Sequence, residues 1–228
     1  MTPNPNKRLE IAVGAERWQR LPIRTHVITA RDQLPNIMER YVRPHLQPDD
    51  HVFIAERVVA IAQGRAFPIK DINPSWLARL LVRFVHKSPY GIGLGSPWTM
   101  ELAVREAGAA RIILAALAAL STKPFGIRGV FYKIAGPTVA AIDGPCDYTL
   151  PPYNKYAKLG PKEPDRVAIA LSAAVGAPVV IIDANDLGVA VLGKSGGITD
   201  QFAKAVFRDN PLGQSDEQTP IAIVRKSK

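Results

Sequence analysis

The sequence holds one cysteine, Cys146. That excludes a disulfide framework and a thiolate-built zinc site, and it agrees with a reducing, cytoplasmic location. Long hydrophobic runs are also lacking. The longest, Ile112 to Leu120, is nine residues, short of the roughly 18 that a membrane-spanning helix needs. It reads as a buried helix, and no membrane partner is expected. The opening segment, MTPNPNKRLEIAVGAERW, has no apolar core, so no signal peptide is expected. Aromatic residues are 7% and do not interleave with Lys and Arg. No base-stacking platform is present, and nucleic acid is not an expected partner. The sequence contains no HExxH, and the glycine spacing of Lys87 to Pro97 fits neither a P-loop nor a dinucleotide fingerprint. The four histidines, His26, His45, His51 and His86, are dispersed and read as structural or surface residues.

What is present is an ordinary globular composition, 47% hydrophobic and 21% charged over 228 residues. The net charge of +9 favours anionic partners such as nucleotides or acidic metabolites. Twenty prolines and seventeen glycines divide the chain into many short elements. Arg24 to Ala30 reads as a strand, and Asp32 as the opening of a helix carrying Leu34, Ile37, Met38 and Tyr41. Val52 to Ala62 reads as a buried strand ending at Gln63-Gly64. Asn73-Pro74-Ser75 reads as a helix start with Asn73 as N-cap, followed by an apolar face of Trp76, Leu77, Leu80, Leu81, Phe84 and Val85. Ser96-Pro97 opens another helix that Gly108 ends. Gly129 to Tyr132 and Pro137 to Ile142 read as strands, Pro164 to Val175 as a helix, and Val179 to Ile182 and Ile221 to Val224 as strands. The elements do not alternate regularly, which favours an α+β fold over a doubly wound α/β one. The pattern shifts after Phe125. We therefore expect one domain over residues 1–228 with two lobes, about 20–125 and 126–228.

Two segments, TVAAID and PVVIID, end apolar runs on Asp143 and Asp183. Carboxylates delivered to a loop in this way suit a hard divalent cation beside a phosphate, although an Asp that caps a turn has the same look. Asp147 and Asp186 follow closely. Lys87 to Pro97, KSPYGIGLGSP, places three glycines before a helix start, a pattern open to anion binding or to close backbone packing. Gly213 to Pro220, GQSDEQTP, is a polar loop ahead of an apolar strand, suited to a cation, a base or plain solvation.

Six segments in order resemble the coenzyme F-420-0:L-glutamate ligases, the γ-glutamyl ligases, and in particular their bacterial ligase-like branch. They are LPIR, DDHVFIAERVVAIAQGR, AAIDGPCDY, LGPKEPDRVAIAL, VVIIDAND and GQSDEQTPIAIVR. The resemblance implies a two-lobed α+β chain that intertwines into a homodimer. It implies a nucleoside triphosphate, GTP or ATP, that activates a carboxylate acceptor as an acyl phosphate, which the amine of L-glutamate then attacks. It implies Mg2+ or Mn2+, assisted by K+. By the same resemblance Asp143 and Asp183 are catalytic metal ligands and Gln214 is a further one, with Asp186 compensating for Ala184 where the family has Thr. Leu21, Pro22, Ile23 and Arg24 match a nucleotide-contacting segment, as do Ser215, Asp216, Glu217, Gln218, Thr219 and Pro220. Three departures stand out: Ile61 in place of a nucleotide-contacting Lys, Gly144-Pro145-Cys146 in place of Glu-Ser-Asn, and the loss of an Arg and a Trp after Asp183. Lys87, Arg65 and Lys123 are candidate replacements, and Arg57 and Arg65 are candidates to neutralise a carboxylate. The departures motivate two alternatives, a folate-like acceptor or a non-catalytic nucleotide- or metabolite-binding relative.

Overall fold

The computed structural model describes residues 1–85, 93–127, 129–185, 188–213 and 216–227. In chain order the elements are β1 (Glu10–Val13), β2 (Glu16–Ile23), α1 (Leu34–Ile37, continued by a π-helical turn over Met38–Val42), β3 (His51–Ala55), α2 (Glu56–Ala62), β4 (Ala66–Pro68), α3 (Trp76–Leu81), α4 (Pro97–Ala107), α5 (Ala109–Thr122), α6 (Val130–Ala135), α7 (Pro137–Ala140), β5 (Tyr156–Lys158), α8 (Pro164–Val175), β6 (Val179–Asn185), β7 (Gly188–Lys194), α9 (Asp200–Phe207) and β8 (Ile221–Lys226). The fold is mixed α+β. It divides into two compact units, Met1–Gly64 with Pro161–Lys228, and Arg65–Gly160. The units are not consecutive halves of the chain, because the second is inserted into the first.

The first unit is built on a six-stranded sheet of order β1-β2-β8-β3-β6-β7. Strands β3 and β6 are parallel and the other neighbours are antiparallel. The period of two along each central strand feeds two cores. Val52, Ile54, Val179, Ile181, Ile221 and Ile223 pack with Leu34, Ile37, Met38, Ala168 and Leu171 on one face. Phe53, Val180, Ile182, Ala222 and Val224 pack with Ala203, Val206 and Phe207 of α9 on the other. Both faces are covered, so these strands read as continuous apolar runs rather than alternating ones.

The second unit pairs β4 with β5 and surrounds them with helices. Its core holds Ile72, Ala78, Met100, Leu102, Ile112, Ala115, Val139 and Ala157. Helix α4 starts as expected. Ser96 and Thr99 form a reciprocal capping box, and Gly108 ends the helix at φ +84°.

Several expectations are corrected. The strand expected at Arg24 to Ala30 lies earlier, as β2, whose pairing with β8 ends at Ile23. Asp32 does not cap α1, since Gln33 is the N-cap and caps without its side chain. Asp32 instead accepts from the Thr29 N–H at 2.8 Å and from the Thr29 hydroxyl. Val52 to Ala62 splits into β3 and α2, because an apolar run carries no mark of where extended backbone turns helical. Ser75, not Asn73, caps α3, accepting from the Ala78 N–H. The two strands expected over Gly129 to Ile142 are the short helices α6 and α7, each begun after a positive-φ glycine, Gly129 or Gly136. Of α5 only Ile112 and Ala115 are buried. The expected apolar face of α3 is largely solvent-facing, with Trp76 75% exposed.

Gly193 of β7 lies against the start of α8, where an added Cβ would collide with the backbone of Pro164 and Asp165. Backbone cannot swing aside as a flexible side chain does. Gly193→Ala is therefore expected to lower stability by about 1–3 kcal/mol in urea unfolding. An unchanged midpoint would show that α8 is not seated on β7 as described.

Candidate functional site

The sheet of the first unit brings several of the sequence-predicted residues to one edge. Strands β2, β3 and β6 run in the same sense; β2 and β3 end there and β8 begins there, while β6 runs on to Asn185 in its pairing with β7. Their register fixes a row of Ile23, Ile221, Ile54 and Ile181, one residue from each central strand. One step beyond the row come Arg24, Pro220, Ala55 and Ile182, and the next residue of β6 is Asp183. Strands lie about 4.8 Å apart, so β6 and β8 are separated by about 10 Å at this edge. Carboxyl ends of parallel strands are the usual place for ligand-binding groups in open α/β sheets, because the loops leaving them are free of the ladder.

Leu21, Pro22 and Ile23 lie within β2, opposite Ile223, Ala222 and Ile221. The two segments expected to contact a nucleotide, residues 21–24 and 216–220, are thus neighbours despite almost two hundred residues between them. Their contact continues past the ladder. The Thr25 N–H donates to the Gln218 carbonyl at 3.1 Å, and the Arg24 guanidinium donates to the Gln218 side-chain oxygen at 3.3 Å. Gln218 has φ +55°. The Ala55 N–H donates to the Pro220 carbonyl at 2.8 Å, which fastens the loop to the end of β3. Thr219 is buried; its hydroxyl donates to the Leu212 carbonyl at 2.9 Å and accepts from Asn4 at 2.7 Å. Glu217 lies over Gly213, where an added Cβ would meet its carboxylate. Asp216 opens the described part of this loop and is exposed. Gln214, Ser215 and Asp186 lie outside the described residues, as do His86 and residues 87–92 of the glycine-rich segment.

Asp183 does not end its strand. It lies inside β6, opposite Ala190 of β7, and is half-buried. Asn185 donates to its carboxylate at 3.4 Å. Asp143 belongs to the second unit, and it follows a helix rather than an apolar strand. It forms an isolated antiparallel bridge with Lys158, with N–H to carbonyl distances of 3.1 and 2.9 Å. The Lys158 ammonium lies 3.5 Å from the Asp143 carboxylate and donates to the Ala141 carbonyl at 3.2 Å. Arg65 donates to Glu106 and to the Gly160 carbonyl, each at 2.7 Å, which gives it a structural role within this unit. Each aspartate, taken within its own unit, offers oxygen, the donor type that a hard divalent cation takes rather than a soft one. Among the described residues no three His, Cys, Asp or Glu side chains form a metal-sized cluster.

Sequence reasoning missed Asn4, Lys158 and the group around His26. Nothing local marks Asn4, whose partners are more than two hundred residues away. Lys158 had a signal, a lone basic residue between Ala157 and Leu159, both buried. Just beyond the edge, His26 bonds Tyr41 at 2.8 Å and Asp32 at 2.9 Å. The Thr29 backbone N–H, and next His26, hold the Asp32 carboxyl below its ordinary range.

At this end of the mixed α+β chain's sheet, the Arg24 guanidinium meets the Gln218 amide, and β6 carries the Asp183 carboxylate. The chain belongs to the F420-0:γ-glutamyl ligase family, whose family model matches residues 22–187, and it is therefore a member of a ligase family. No curated protein matches the chain. The matched span stops before β8, the strand that carries the 216–220 loop to the edge. Among the described residues no helix is long and apolar enough to cross a membrane.

Thr219→Val removes the hydroxyl that joins Asn4 to Leu212. It leaves buried polar groups unmatched, at a cost of about 1–3 kcal/mol. Hydrogen exchange over residues 216–220 is expected to quicken while β6 stays protected. Equal exchange in the variant would show that the tether does not hold the loop.

Proposed function

We propose that the protein is a nucleoside-triphosphate-driven ligase that joins L-glutamate to a carboxylate acceptor. The supporting observation is that residues 21–23 pair with 221–223, which brings Arg24 and Thr25 into hydrogen-bond contact with Gln218 of the loop before β8, on the sheet that also carries Asp183. On this reading an acceptor carboxylate oxygen attacks the terminal phosphorus of GTP or ATP. An acyl phosphate forms and the nucleoside diphosphate leaves. The glutamate amine then attacks the acyl carbon, loses a proton, and inorganic phosphate leaves with its oxygen. Arg24 and the Gln218 amide orient the nucleotide. Asp183 and Asp143, by family resemblance, would hold Mg2+ or Mn2+, with Gln214 and Asp186 as further candidates; bound there, the cation offsets phosphate charge.

Phosphate release would be followed with Mn2+ or Mg2+, GTP or ATP, glutamate and a panel of acceptors, including a deazaflavin precursor and a folate-like acid. We expect turnover that Asp183→Asn and Asp143→Asn each lower by at least about 10–100-fold, the loss seen even for residues behind metal ligands. Absence of turnover with every acceptor, alongside intact folding, would sink the reading.

One observation favours a second reading. Ile61, at the position where the resemblance expects a nucleotide-contacting Lys, is buried at 4% exposure and so takes part in packing. A binding relative that holds a nucleotide without turnover fits that loss. Calorimetric binding of GTP or ATP with no phosphate release would favour this second reading over the first.

We further propose that two copies associate through the helices of the second unit. Trp76, Phe84, Ile113, Leu114, Leu117, Leu120 and Phe125 are all exposed. Helix α5 buries Ile112 and Ala115 on one side and presents Leu114 and Leu117 on the other, so it is apolar all round, as buried helices are. No charged residue lies between Arg111 and Lys123. An uncharged stripe has no like-charge conflict when it meets its own copy about a two-fold axis, and the resemblance implies a homodimer. Light scattering is expected to give twice the chain mass, and Leu117→Glu is expected to give the monomer. A monomeric wild type would refute this association.

A further inference from the structure

Lys158 is 3% exposed, yet its ammonium stands 3.5 Å from a carboxylate that is 49% exposed. A buried ammonium is costly unless an anion and hydrogen-bond acceptors surround it. The chain supplies both locally, the Asp143 carboxylate and the Ala141 carbonyl. The two residues are also locked backbone to backbone, N–H to carbonyl in both directions. This geometry is set by β5 and the turn after α7, and so it lies within the second unit.

We propose that Lys158 is a built-in cation at Asp143 that competes with a divalent metal ion for that carboxylate. The proposal rests on the reading of Asp143 as a metal-facing residue. A dication approaching Asp143 meets the repulsion of the ammonium and shares a carboxylate that is already neutralised. Metal ions alone therefore bind weakly at Asp143. The ammonium holds the carboxylate in one orientation and acts on metal affinity through Asp143, which makes Lys158 a positioning residue.

The test is Mn2+ titration of the whole chain, without nucleotide, followed by the electron paramagnetic resonance signal of free Mn2+. Lys158→Met keeps the apolar stem and removes the charge. It is expected to tighten Mn2+ binding by about tenfold, the order expected for removing one like charge near a partly exposed site. Adding Asp143→Asn to that variant is expected to abolish the gain, and Lys158→Arg is expected to behave as wild type. In the otherwise unchanged chain and without nucleotide, Asp143→Asn is expected to alter Mn2+ binding by less than about twofold, since the ammonium already keeps nucleotide-free metal off that carboxylate; the loss of turnover expected above is read with nucleotide present. That arm does not depend on the folding of Lys158→Met. No gain in Lys158→Met, or a large loss in Asp143→Asn alone, would overturn the proposal. If the Mn2+ results come out as expected but no acceptor supports turnover, the ligase reading fails and Lys158 keeps its role. If Asp143→Asn abolishes turnover and Lys158→Met gains no Mn2+ affinity, the role of Lys158 fails and the ligase reading stands.

Discussion

The insertion of β8 between β2 and β3 is the constraint on which the candidate edge depends. Ile221 sits between Ile23 and Ile54, and Ile181 completes the row; each is 4% exposed or less. Burying each such side chain contributes about 1.5–3 kcal/mol. The ladder on both sides of β8 converts that burial into register, because a slip by one residue would turn every one of these side chains to the opposite face. Register in turn places Pro220 beside Ala55 and sets the 216–220 loop against Arg24 and Thr25. The final strand of the chain therefore acts on the site through the sheet, although only the loop before it carries polar groups.

How much of this was legible depended on whether the signal was local. Helices α4 and α8 were readable because proline at the first turn and glycine at the end act within a few residues. The apolar cores of β6 and β8 were readable because strands covered on both faces leave uninterrupted Val and Ile. The β1–β2 hairpin was not, because its outward positions are Glu16, Arg17 and Gln19 and its turn is only Gly14-Ala15. Segment 52–62 was misread because Val, Ile and Ala fill β3 and α2 alike, and only Glu56 marks the change. Helices α6 and α7 were misread because Val130, Phe131 and Val139 favour strands in isolation, while the glycines before them and packing against the rest of the unit decide otherwise. At the site, composition pointed to the 216–220 loop and to the two aspartates. That the loop lies beside residues 21–24 is a long-range pairing that no local pattern records.

The two aspartates show why the same residue type needs different surroundings. Asp183 sits in a strand whose preceding residues are buried, and its carboxylate is half-buried beside an amide donor. Its main chain is held in the β6–β7 ladder, opposite Ala190. Asp143 follows the short helix α7, where no ladder of several strands fixes the backbone. There a single bridge to Lys158 holds the main chain and the Lys158 ammonium holds the side chain. A strand ladder fixes the main chain of the first, and an ion pair orients the carboxylate of the second.

That difference has a chemical consequence. A carboxylate carried on a paired strand has its main chain fixed by the ladder. One oriented by an ammonium presents a nearly neutral pair, polar and directional but weak as a cation trap. The surplus of nine positive charges over the chain does not imply uniform attraction for anions, because individual cations such as Arg20, Arg225 and Arg65 are paired internally with Asp209, Asp50 and Glu106, and the surplus lies elsewhere. What a ligand meets is set by the local balance of charge. On the first unit that balance combines Arg24 and the Gln218 amide with the carboxylates of Asp216, Glu217 and Asp183. On the second it is a carboxylate with its own cation already in place. Local placement of charge, rather than net charge, therefore decides what each surface can attract.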